Sequence, residues 1–436
     1  MNENLYIDLH VLQTVPPSCV NRDDTGSPKT AIYGGVTRAR VSSQAWKREM
    51  RLMFRDMLKP EQCGIRTKHL PEELAKRISA LNSTAEADKL SAKILDLCGI
   101  GMDKDDKNKT KVLLFVSLKQ LDTLAEIAVQ NAWNVTSLEE EISRLFPDAK
   151  ADKLAKKILK IIGVDTNKDE DTNFLAVHEK VDTLIRLAEQ ADKGDDEAKK
   201  SQKKARDALN SEMETICKNA LYENPAVDIA LFGRMLAEAA TLNYDAAAQV
   251  AHSISTHAVH NEYDYFTALD DCAPEDNMGA GHLGTVEFNS STLYRYATVS
   301  VRELEKYLGT DTPAAVRCFV NAFILSMPTG KQHTFANRTL PDFVYVTARR
   351  DQPVNLCGAF EKPILAGKDG YVEPSIKALE AYAQKKVYQP FDLYPERAWA
   401  VGQYSISDGF AEVMSRSALL AEIENYVKDA MNSGVV

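Results

Sequence analysis

A long stretch in the middle of the chain constrains the fold more than any other feature. From about residue 61 to residue 219 the 436-residue sequence becomes rich in Lys, Asp, Glu and Ala and poor in aromatic side chains. Within it, residues 87–100 match residues 151–164 at eight of fourteen positions, and a second match follows between residues 117–130 and 177–190. Each copy has the pattern helix, polar loop, helix, and two copies are too few for a free-standing solenoid. The stretch is therefore predicted to be a helical domain inserted into a different fold.

The segments that flank this insert carry strand and helix patterns. Residues 5–15 alternate apolar and polar side chains and are predicted to be a first strand, which the following Pro-Pro pair ends. Residues 18–40 are predicted to form a long loop, and a helix capped by Ser42-Ser43 then runs to about Leu58. Strand, helix and strand patterns follow the insert at 288–301, 313–326 and 343–346. This order is that of a ferredoxin-like or RNA-recognition-motif core, so the predicted fold class is α+β.

Composition argues against a secreted or membrane protein. The chain contains 44% hydrophobic and 27% charged residues, which is ordinary for a globular protein. Its first residues include no basic segment before the apolar ones, and no apolar run approaches the roughly 18 residues needed to span a bilayer. The seven cysteines are scattered, have no C-x-x-C spacing, and are interpreted as reduced core thiols. We therefore expect a cytoplasmic protein with no membrane partner.

The distribution of charge is more informative than its sum. A formal net charge of −10 argues, taken alone, against a nucleic-acid partner, because such proteins commonly gain affinity by releasing counterions from phosphates. Between residues 29 and 55, however, seven basic side chains face one acid, a local charge of +6. The acidity lies mostly in the middle of the chain and near its C-terminus. The N-terminal segment is therefore the candidate for an anionic partner.

The strongest local signal lies in residues 21–51, NRDDTGSPKTAIYGGVTRARVSSQAWKREMR. A Gly-rich loop, a basic strand and a capped helix follow one another there, which brings backbone N–H donors and cations together. Lys47, Arg51 and Arg55 recur at helical spacing and share one face. Basic residues on a single helix are often only a solvated face. Because loop, strand and helix share one sign of charge, the pattern favours a surface for a phosphate backbone.

The same block resembles the N-terminal signature of the CasC (Cse-four) family, the backbone subunits of type I-E CRISPR Cascade complexes in the RAMP superfamily. In that family N-R-D-D, a downstream Lys, G-G, R-x-R and S-S-Q-x-x-K-R recur in this order, as they do here between residues 21 and 48. The resemblance implies that the block binds the phosphates and riboses of a guide RNA. The candidate RNA-binding residues in it are Asn21, Arg22, Lys29, Arg38, Arg40, Ser42, Ser43, Gln44, Lys47, Arg48 and Arg51.

A second block, DIALFGRMLAE at residues 228–238, resembles a motif of the same family. The resemblance implies that Met235 wedges against a base and that Arg234 meets a phosphate. Without the family, Met235 and its apolar neighbours Leu231 and Leu236 are read as core residues at helical spacing.

A third block, residues 252–288, has two alternating arms around a polar tip, the pattern of a long β-hairpin. It resembles the family's thumb, which folds over the guide and flips out nucleotides. Tyr265, Phe266 and Thr267 occupy the family's D-[aromatic]-F-T-A position, which implies a ring beside an unstacked base. The alternative is that both rings belong to an ordinary hairpin core.

Catalysis and metal binding are not expected. His257 and His260 form an H-x-x-H pair, but neither they nor His252 and His282 complete a ligand set, so no metal or other cofactor is predicted. Related type III backbone subunits cut RNA with a loop aspartate, which draws attention to Asp23 and Asp24. Two acids beside an arginine do not make a metal site, and we interpret them as ion-pair partners of that arginine or as caps of the loop. No hydrolase or nucleotide-binding fingerprint occurs.

The predicted architecture is a modified RNA-recognition-motif palm formed by residues 1–60 and 226–436, a helical finger domain at 61–225, and a β-hairpin thumb at about 253–288. The predicted function is a non-catalytic subunit that polymerises along a CRISPR guide RNA in antiviral defence and presents it for pairing. Its expected partners are guide RNA, target DNA through the guide, further copies of itself and other Cascade subunits. Two alternatives stay open: a metal-dependent RNA-cleaving subunit that uses Asp23 and Asp24, and a protein scaffold without RNA contact.

Overall fold

The chain folds into two compact units in a computed structural model that describes residues 4–83, 86–106, 108–164, 174–237, 239–268 and 282–433. The first unit, here the sheet unit, comprises Met1–Lys59 and Ala246–Val436, and the second, here the helical unit, comprises Pro60–Asp245. The insert thus ends at Asp245 and not at residue 225 as predicted. The added segment stays with the helical unit because the buried Arg234 side chain donates hydrogen bonds to the carbonyls of Phe115 and Leu221.

The elements follow one another along the chain in three groups. The first part of the sheet unit contains β1 (Tyr6–Ser18), β2 (Thr30–Tyr33), β3 (Val36–Val41) and α1 (Ser43–Met57). The helical unit contains β4 (Gly64–Thr67), α2 (Leu70–Leu81), α3 (Ala87–Leu97), β5 (Leu114–Ser117), α4 (Leu118–Gln130), β6 (Ala132–Trp133), α5 (Val135–Leu145), α6 (Ala151–Ile162), β7 (Phe174–Leu175), α7 (His178–Asp192), α8 (Asp196–Tyr222) and α9 (Val227–Phe232). The second part of the sheet unit contains β8 (Ala248–Val250), β9 (Ser253–Ser255), β10 (Glu262–Ala268), β11 (His282–Ser300), α10 (Val301–Leu308), α11 (Thr312–Leu325), α12 (Gln332–Phe335), β12 (Phe343–Arg349), α13 (Val372–Tyr382), α14 (Gln389–Phe391), β13 (Arg397–Val401), β14 (Glu412–Val413) and α15 (Arg416–Asn432).

A mixed sheet organises the first unit. Its strand order within the described residues is β14-β13-β12-β1-β11-β9-β3-β2, and β8 and β10 also pair with β11. Most pairs are antiparallel, whereas β13 and β14 are parallel. The central strand β1 is buried along most of its length, as its apolar residues require. The predicted α+β class is confirmed, and the sheet is mixed.

Two details near the N-terminus differ from the sequence prediction. The first strand continues through Pro16 and Pro17 to Ser18, with a shift of register after Val15, because a bulge accommodates prolines that lack an N–H. The predicted loop at 18–40 contains the hairpin β2–β3. Gly34 and Gly35 form its turn with φ angles of 59° and 78°, a combination that favours glycine at both positions.

The helical unit repeats one order of elements twice. The first copy is β4-α2-α3-β5-α4 and the second is β6-α5-α6-β7-α7. Each copy has its own core, with Ile78, Leu90 and Leu124 in the first and their counterparts Ile142, Leu154 and Leu184 in the second. The long helix α8 contributes apolar residues to both cores. The repeat is therefore larger than the helix-loop-helix pattern seen in the sequence.

No helix in the described part of the chain is long and apolar enough to cross a membrane.

Candidate nucleic-acid interface

Helix α1 presents its basic residues outward because its opposite face is anchored. The buried side chains are Trp46, Met50 and Phe54, and the Trp46 indole N–H donates to the Ser253 hydroxyl at 3.0 Å. This bond fixes the rotation of the helix about its axis. The face that remains outward is exposed or partly exposed and carries Gln44, Lys47, Arg48, Arg51 and Arg55. The predicted helix from Ser42 to Leu58 is confirmed.

A buried arginine supports α1 from below. The Arg295 guanidinium lies 3.8 Å from the Trp46 ring and 4.6 Å from the Phe323 ring, and it donates to the Gln13 side-chain oxygen at 2.6 Å. Burial lowers the pKa of Arg295 to about 9. The guanidinium thus packs against the rings of both Trp46 in α1 and Phe323 in α11.

The start of α1 is braced by the loop that precedes β2. The Ser42 hydroxyl caps the helix by accepting from the Ala45 N–H. The Asn21 side-chain oxygen accepts from the Ser42 N–H at 2.9 Å, and the Asn21 carbonyl accepts from the Lys29 N–H at 2.8 Å. Asn21 therefore connects the loop to Lys29, directly before β2, and to Ser42 at the start of α1.

Asp23 acts as an internal support of this loop. One of its carboxylate oxygens accepts from the Thr25 N–H at 3.0 Å, the Thr25 hydroxyl at 2.7 Å and the Ser27 N–H at 3.0 Å. The Thr25 hydrogen bond, above all, holds the pKa of Asp23 below its ordinary value. The interpretation of Asp23 as a loop cap is confirmed.

An open cleft of about 560 Å³ lies between this loop, the start of α1 and residues 328–330. Its lining includes Asn21, Arg22, Asp24, Arg48 and Thr329. The cleft carries both signs of charge, and its cations stand where the loop meets the helix. Backbone amides and cations together are the groups that bind phosphate oxygens in proteins.

Sequence reasoning missed the segment that closes the cleft. A Cβ atom at Gly330 would lie 2.1 Å from the Val20 carbonyl oxygen, so only glycine permits this approach of two backbones. The next residue, Lys331, has a φ of 50°. Burial raises the pKa of the Cys19 thiol while Arg22 and Lys331 act in the opposite direction, so both cations lie near it. The Pro-Thr-Gly-Lys pattern at 328–331 was the available signal.

Most of the basic candidates gather around this cleft and the adjoining strand edge. Arg40 donates to the Thr30 carbonyl at 3.3 Å, and Lys29 and Arg40 line one small depression with Asn21. Arg48 is exposed and pairs with Glu49. The structure brings together in this region Asn21, Arg22, Lys29, Arg40, Ser42, Ser43, Gln44, Lys47, Arg48 and Arg51.

Arg38 does not belong to this surface, and its assignment as an RNA-binding residue was wrong. Its side chain is 0% exposed. The guanidinium donates to the carbonyls of Ser255 at 2.9 Å and Phe360 at 2.8 Å, and also to that of Tyr33. Its N–H groups are therefore used to hold β3 to distant segments of the sheet unit.

Arg234 is also a structural residue. It is 4% exposed, donates to the Leu242 carbonyl at 2.8 Å, and lies 4.8 Å from the Tyr244 ring. Burial lowers its pKa to about 10. The assignment to a phosphate was therefore wrong for this residue too, because its donors satisfy carbonyls inside the helical unit.

Its neighbour Met235 has the opposite environment. Helix α9 ends at Phe232, so Met235 lies beyond it and is 91% exposed, whereas Leu231 and Leu236 are buried. The alternative reading of Met235 as a core residue at helical spacing is wrong. An exposed thioether beside a rigid, buried arginine is suited to contact a flat apolar partner.

The predicted hairpin forms from β10 and the first part of β11, paired from Glu262↔Phe288 to Ala268↔His282. Its arms begin later than predicted, because residues 253–255 form β9 of the main sheet. The tip and the His282 side chain lie outside the described residues. Tyr265 is 62% exposed and Phe266 42% exposed, so the two rings are not a hairpin core. Thr267 is exposed beside them.

Phe266 lies over Gly284, its partner across the hairpin. A Cβ atom at Gly284 would come within 2.4 Å of the Phe266 ring, so the glycine leaves room for the ring to lie across the strand.

The histidine pair is not a ligand set. His257 accepts from the Thr292 N–H through Nε2, donates through Nδ1 to the Ala258 carbonyl, and stacks on Tyr371 with ring centroids 3.7 Å apart. Its companion His260 is exposed. Across the described ranges, no three His, Cys, Asp or Glu side chains come together as a metal site would require.

The chain combines a mixed sheet, a cationic loop and helix, and a helical unit whose sequence is inserted between the strands of that sheet. A family model described as CT1975-like protein matches residues 7–143 and 134–425. The chain belongs to the CT1975-like protein family.

Chains of two solved structures are similar to this chain along almost its whole length. The chain is 28% identical to a chain of a structure titled "CRISPR RNA-guided surveillance complex, pre-nicking", covering 98% of this chain and 100% of that one with a TM-score of 0.70. A chain of a "CRISPR RNA-guided surveillance complex" is 25% identical over 96% of this chain and 99% of that one, with a TM-score of 0.60. No curated protein matches the chain. The resemblance first seen in residues 21–51 is confirmed.

Proposed function

We propose that this chain is a backbone subunit of a CRISPR surveillance complex of the type I-E Cascade kind, and that it holds the guide RNA without cutting it. The observation that carries the proposal is the braced, cationic start of α1. Asn21 and Ser42 fix the backbone there, and Arg22, Lys29, Arg40, Lys47 and Arg51 surround it. The similarity to chains of RNA-guided surveillance complexes supports the choice of RNA as the ligand.

In this proposal the RNA backbone lies along α1 and the loop before it. Phosphate oxygens accept charge-assisted hydrogen bonds from lysine and arginine, and these contacts release counterions. Because the braces are made before RNA arrives, little ordering of the protein is needed on binding. These contacts do not read the base sequence, and a subunit that accepts any guide requires this.

Apolar groups would then present the bases. Met235 inserts beside a base, and Tyr265 or Phe266 stacks on an unstacked one. The large exposure of these three side chains supports this role. Stacking of a base on an aromatic ring contributes about 1–3 kcal/mol. Target DNA pairs with the guide, and the protein holds the guide in a pre-ordered form.

In the same proposal the sheet unit is a modified RNA-recognition-motif palm, the helical unit is a finger domain, and the β10–β11 hairpin is a thumb. Copies stack head to tail along the guide beside other Cascade subunits. Contacts of this heterologous kind build open helical assemblies. The subunit itself is not an enzyme, and the use of Asp23 as a brace supports this reading.

The test is the salt dependence of RNA affinity in a matched pair of charge-removing variants. The double variant Lys47→Ala, Arg51→Ala removes two cations from α1, and we expect about 10–100-fold weaker binding of a single-stranded RNA at physiological salt. The plot of log affinity against log salt should lose roughly one unit of slope per phosphate contact.

The matched control is Lys153→Ala, Lys156→Ala on α6, which removes the same charge from exposed positions of another helix. It should change the RNA affinity by less than about twofold, because surface charges without a bound phosphate act only through a screened field. Equal losses in the two double variants would show that only net charge matters and would contradict the proposal.

A further inference from the structure

His252 lies at the edge of the surface formed by the start of α1 and the loop before β2. His252 lies between β8 and β9, directly before Ser253, and Ser253 pairs with Val41 at the end of β3. Continuing that register by one residue sets His252 opposite Ser42, the cap of α1. The side chain is exposed. It therefore adjoins the site but has no part in the contacts already described.

The neighbours of one ring nitrogen determine which of the two nitrogens of the neutral His252 ring carries the proton. His252 Nδ1 lies 3.2 Å from the Ser43 backbone nitrogen and 3.5 Å from a guanidinium nitrogen of Arg40. Both neighbours are donors, and a guanidinium has no acceptor. Nδ1 must therefore carry the lone pair, and the neutral ring carries its proton on Nε2.

The surroundings keep the ring neutral. Partial burial, first, and then the charges of Arg40 and Lys29 lower the pKa of His252 below its ordinary value. In the described part of the chain the Nε2–H makes no hydrogen bond. The structure thus offers a fixed, neutral donor between two cations and the start of α1.

We propose that His252 is a further RNA-binding residue, whose Nε2–H donates a hydrogen bond to an oxygen of the RNA backbone at the start of α1. The inference rests on the proposed function of that surface. The acceptor is either a phosphate oxygen or a ribose 2′-hydroxyl, and both accept a neutral N–H donor. His252 adds affinity without adding charge, which separates its contribution from that of Lys47 and Arg51.

Two substitutions divide the roles of the two ring nitrogens. In His252→Asn the side-chain oxygen takes the place of Nδ1 and still accepts from Ser43, but no group remains at Nε2. In His252→Gln the longer side chain brings its amide N–H₂ to the place of Nε2. Both variants are uncharged, so a difference between them reports on geometry alone.

Binding of a single-stranded RNA oligonucleotide to the full chain is the measurement. We expect His252→Asn to weaken binding about threefold to tenfold, the range of one neutral hydrogen bond, with an unchanged salt slope. His252→Gln should stay within about twofold of the wild type. Wild-type affinity of the Asn variant, or a larger loss in the Gln variant than in the Asn variant, would overturn the inference.

A DNA strand of the same sequence identifies the acceptor. The same fold loss on DNA assigns a phosphate oxygen, and a loss confined to RNA assigns the 2′-hydroxyl. Nitrogen NMR of ¹⁵N-histidine-labelled chain should show Nε2 protonated at neutral pH, and a proton on Nδ1 would contradict the inference. The variant Lys47→Ala, Arg51→Ala separates a failure of the proposed function from a failure of the inference on His252. If it binds RNA normally, the proposed function fails, whereas if it is weakened and His252→Asn is not, only the inference on His252 fails.

Discussion

Helices α1 and α6 each carry four basic residues, but they begin differently. Both expose lysine or arginine along one face, and Lys153, Lys156 and Lys160 of α6 make no ion pair with any acid in the described ranges. Helix α1 starts at a serine cap that Asn21 braces. Helix α6 follows Lys150, which makes no side-chain cap, and carries an acid, Asp152, in its first turn.

From this difference we expect charge to form a phosphate site only where the backbone around it is fixed. The first repeat of the helical unit makes the same point, because its helix α3 has Ala92 and Asp96 where α6 has Lys156 and Lys160. Two copies of one element thus carry different charge on the same scaffold. We expect a solvated face to tolerate such changes and the proposed phosphate site at the start of α1 not to tolerate them.

The largest effect on stability should come from removing a cation that is buried. Arg38→Met should lower the free energy of unfolding by about 2–4 kcal/mol, because the carbonyls of Ser255 and Phe360 lose their donors in a buried place. Urea denaturation measures the change. The matched control Arg48→Met removes an exposed arginine and should change the unfolding midpoint little. Equal stability of the two variants would break the distinction between buried and exposed cations.

The next largest effect should come from removing the Asn21 hydrogen bond that braces the start of α1, a change that leaves the charge of α1 as it is. Asn21→Ala leaves the Ser42 N–H without its partner, and we expect about fivefold to tenfold weaker RNA binding. The salt slope should stay unchanged because no cation is lost. Asn134→Ala, which removes a helix cap in the helical unit, serves as control and should not alter RNA affinity. A reduced slope in Asn21→Ala would show that the brace acts through charge.

A smaller effect should come from the uncharged groups. Tyr265→Ala should weaken RNA binding about fivefold, the low end of the stacking range of about 1–3 kcal/mol, without loss of stability, because the ring is exposed and packs in no core. Tyr263 lies on the same strand, is 68% exposed, and provides a matched control. If Tyr263→Ala weakened binding as much as Tyr265→Ala, the specific role of Tyr265 would be wrong.

The smallest effect is expected at Asp24. Asp24→Ala should leave RNA affinity within about twofold of the wild type, since it is the carboxylate of Asp23 that accepts the hydrogen bonds of Thr25 and Ser27 within the loop. The RNA should also stay intact with either protein when magnesium is present. Magnesium-dependent cleavage by the wild type that Asp24→Ala abolishes would instead establish an RNA-cleaving subunit.

Local signals explain what the sequence predicted well. The Ser42 cap, the helix that follows it and the alternation of the first strand depend on neighbouring residues, so they could be recognised without the fold. The repeat was visible as sequence identity, but its strands were not, because β6 and β7 are each only two residues long.

Distant contacts explain the errors. Arg38 and Arg234 look like surface cations in the sequence, yet they donate to carbonyls that the chain brings from far away, such as those of Phe360 and Phe115. Gly330 was missed for the same reason, because its fit against Val20 exists only in the folded sheet unit. The double glycine at 34–35 supported the long-loop prediction, although the same pair is also a local signal for a hairpin turn.

The most direct test of the central claim is a structure of the assembled particle that resolves both this chain and its RNA. The decisive quantity is the distance from the Lys47 ammonium and the Arg51 guanidinium to the nearest phosphate oxygen. We predict about 3–4 Å for both, the range of a charge-assisted hydrogen bond or ion pair. A separation beyond about 10 Å, at which solvent and salt screen the charges, would contradict the account.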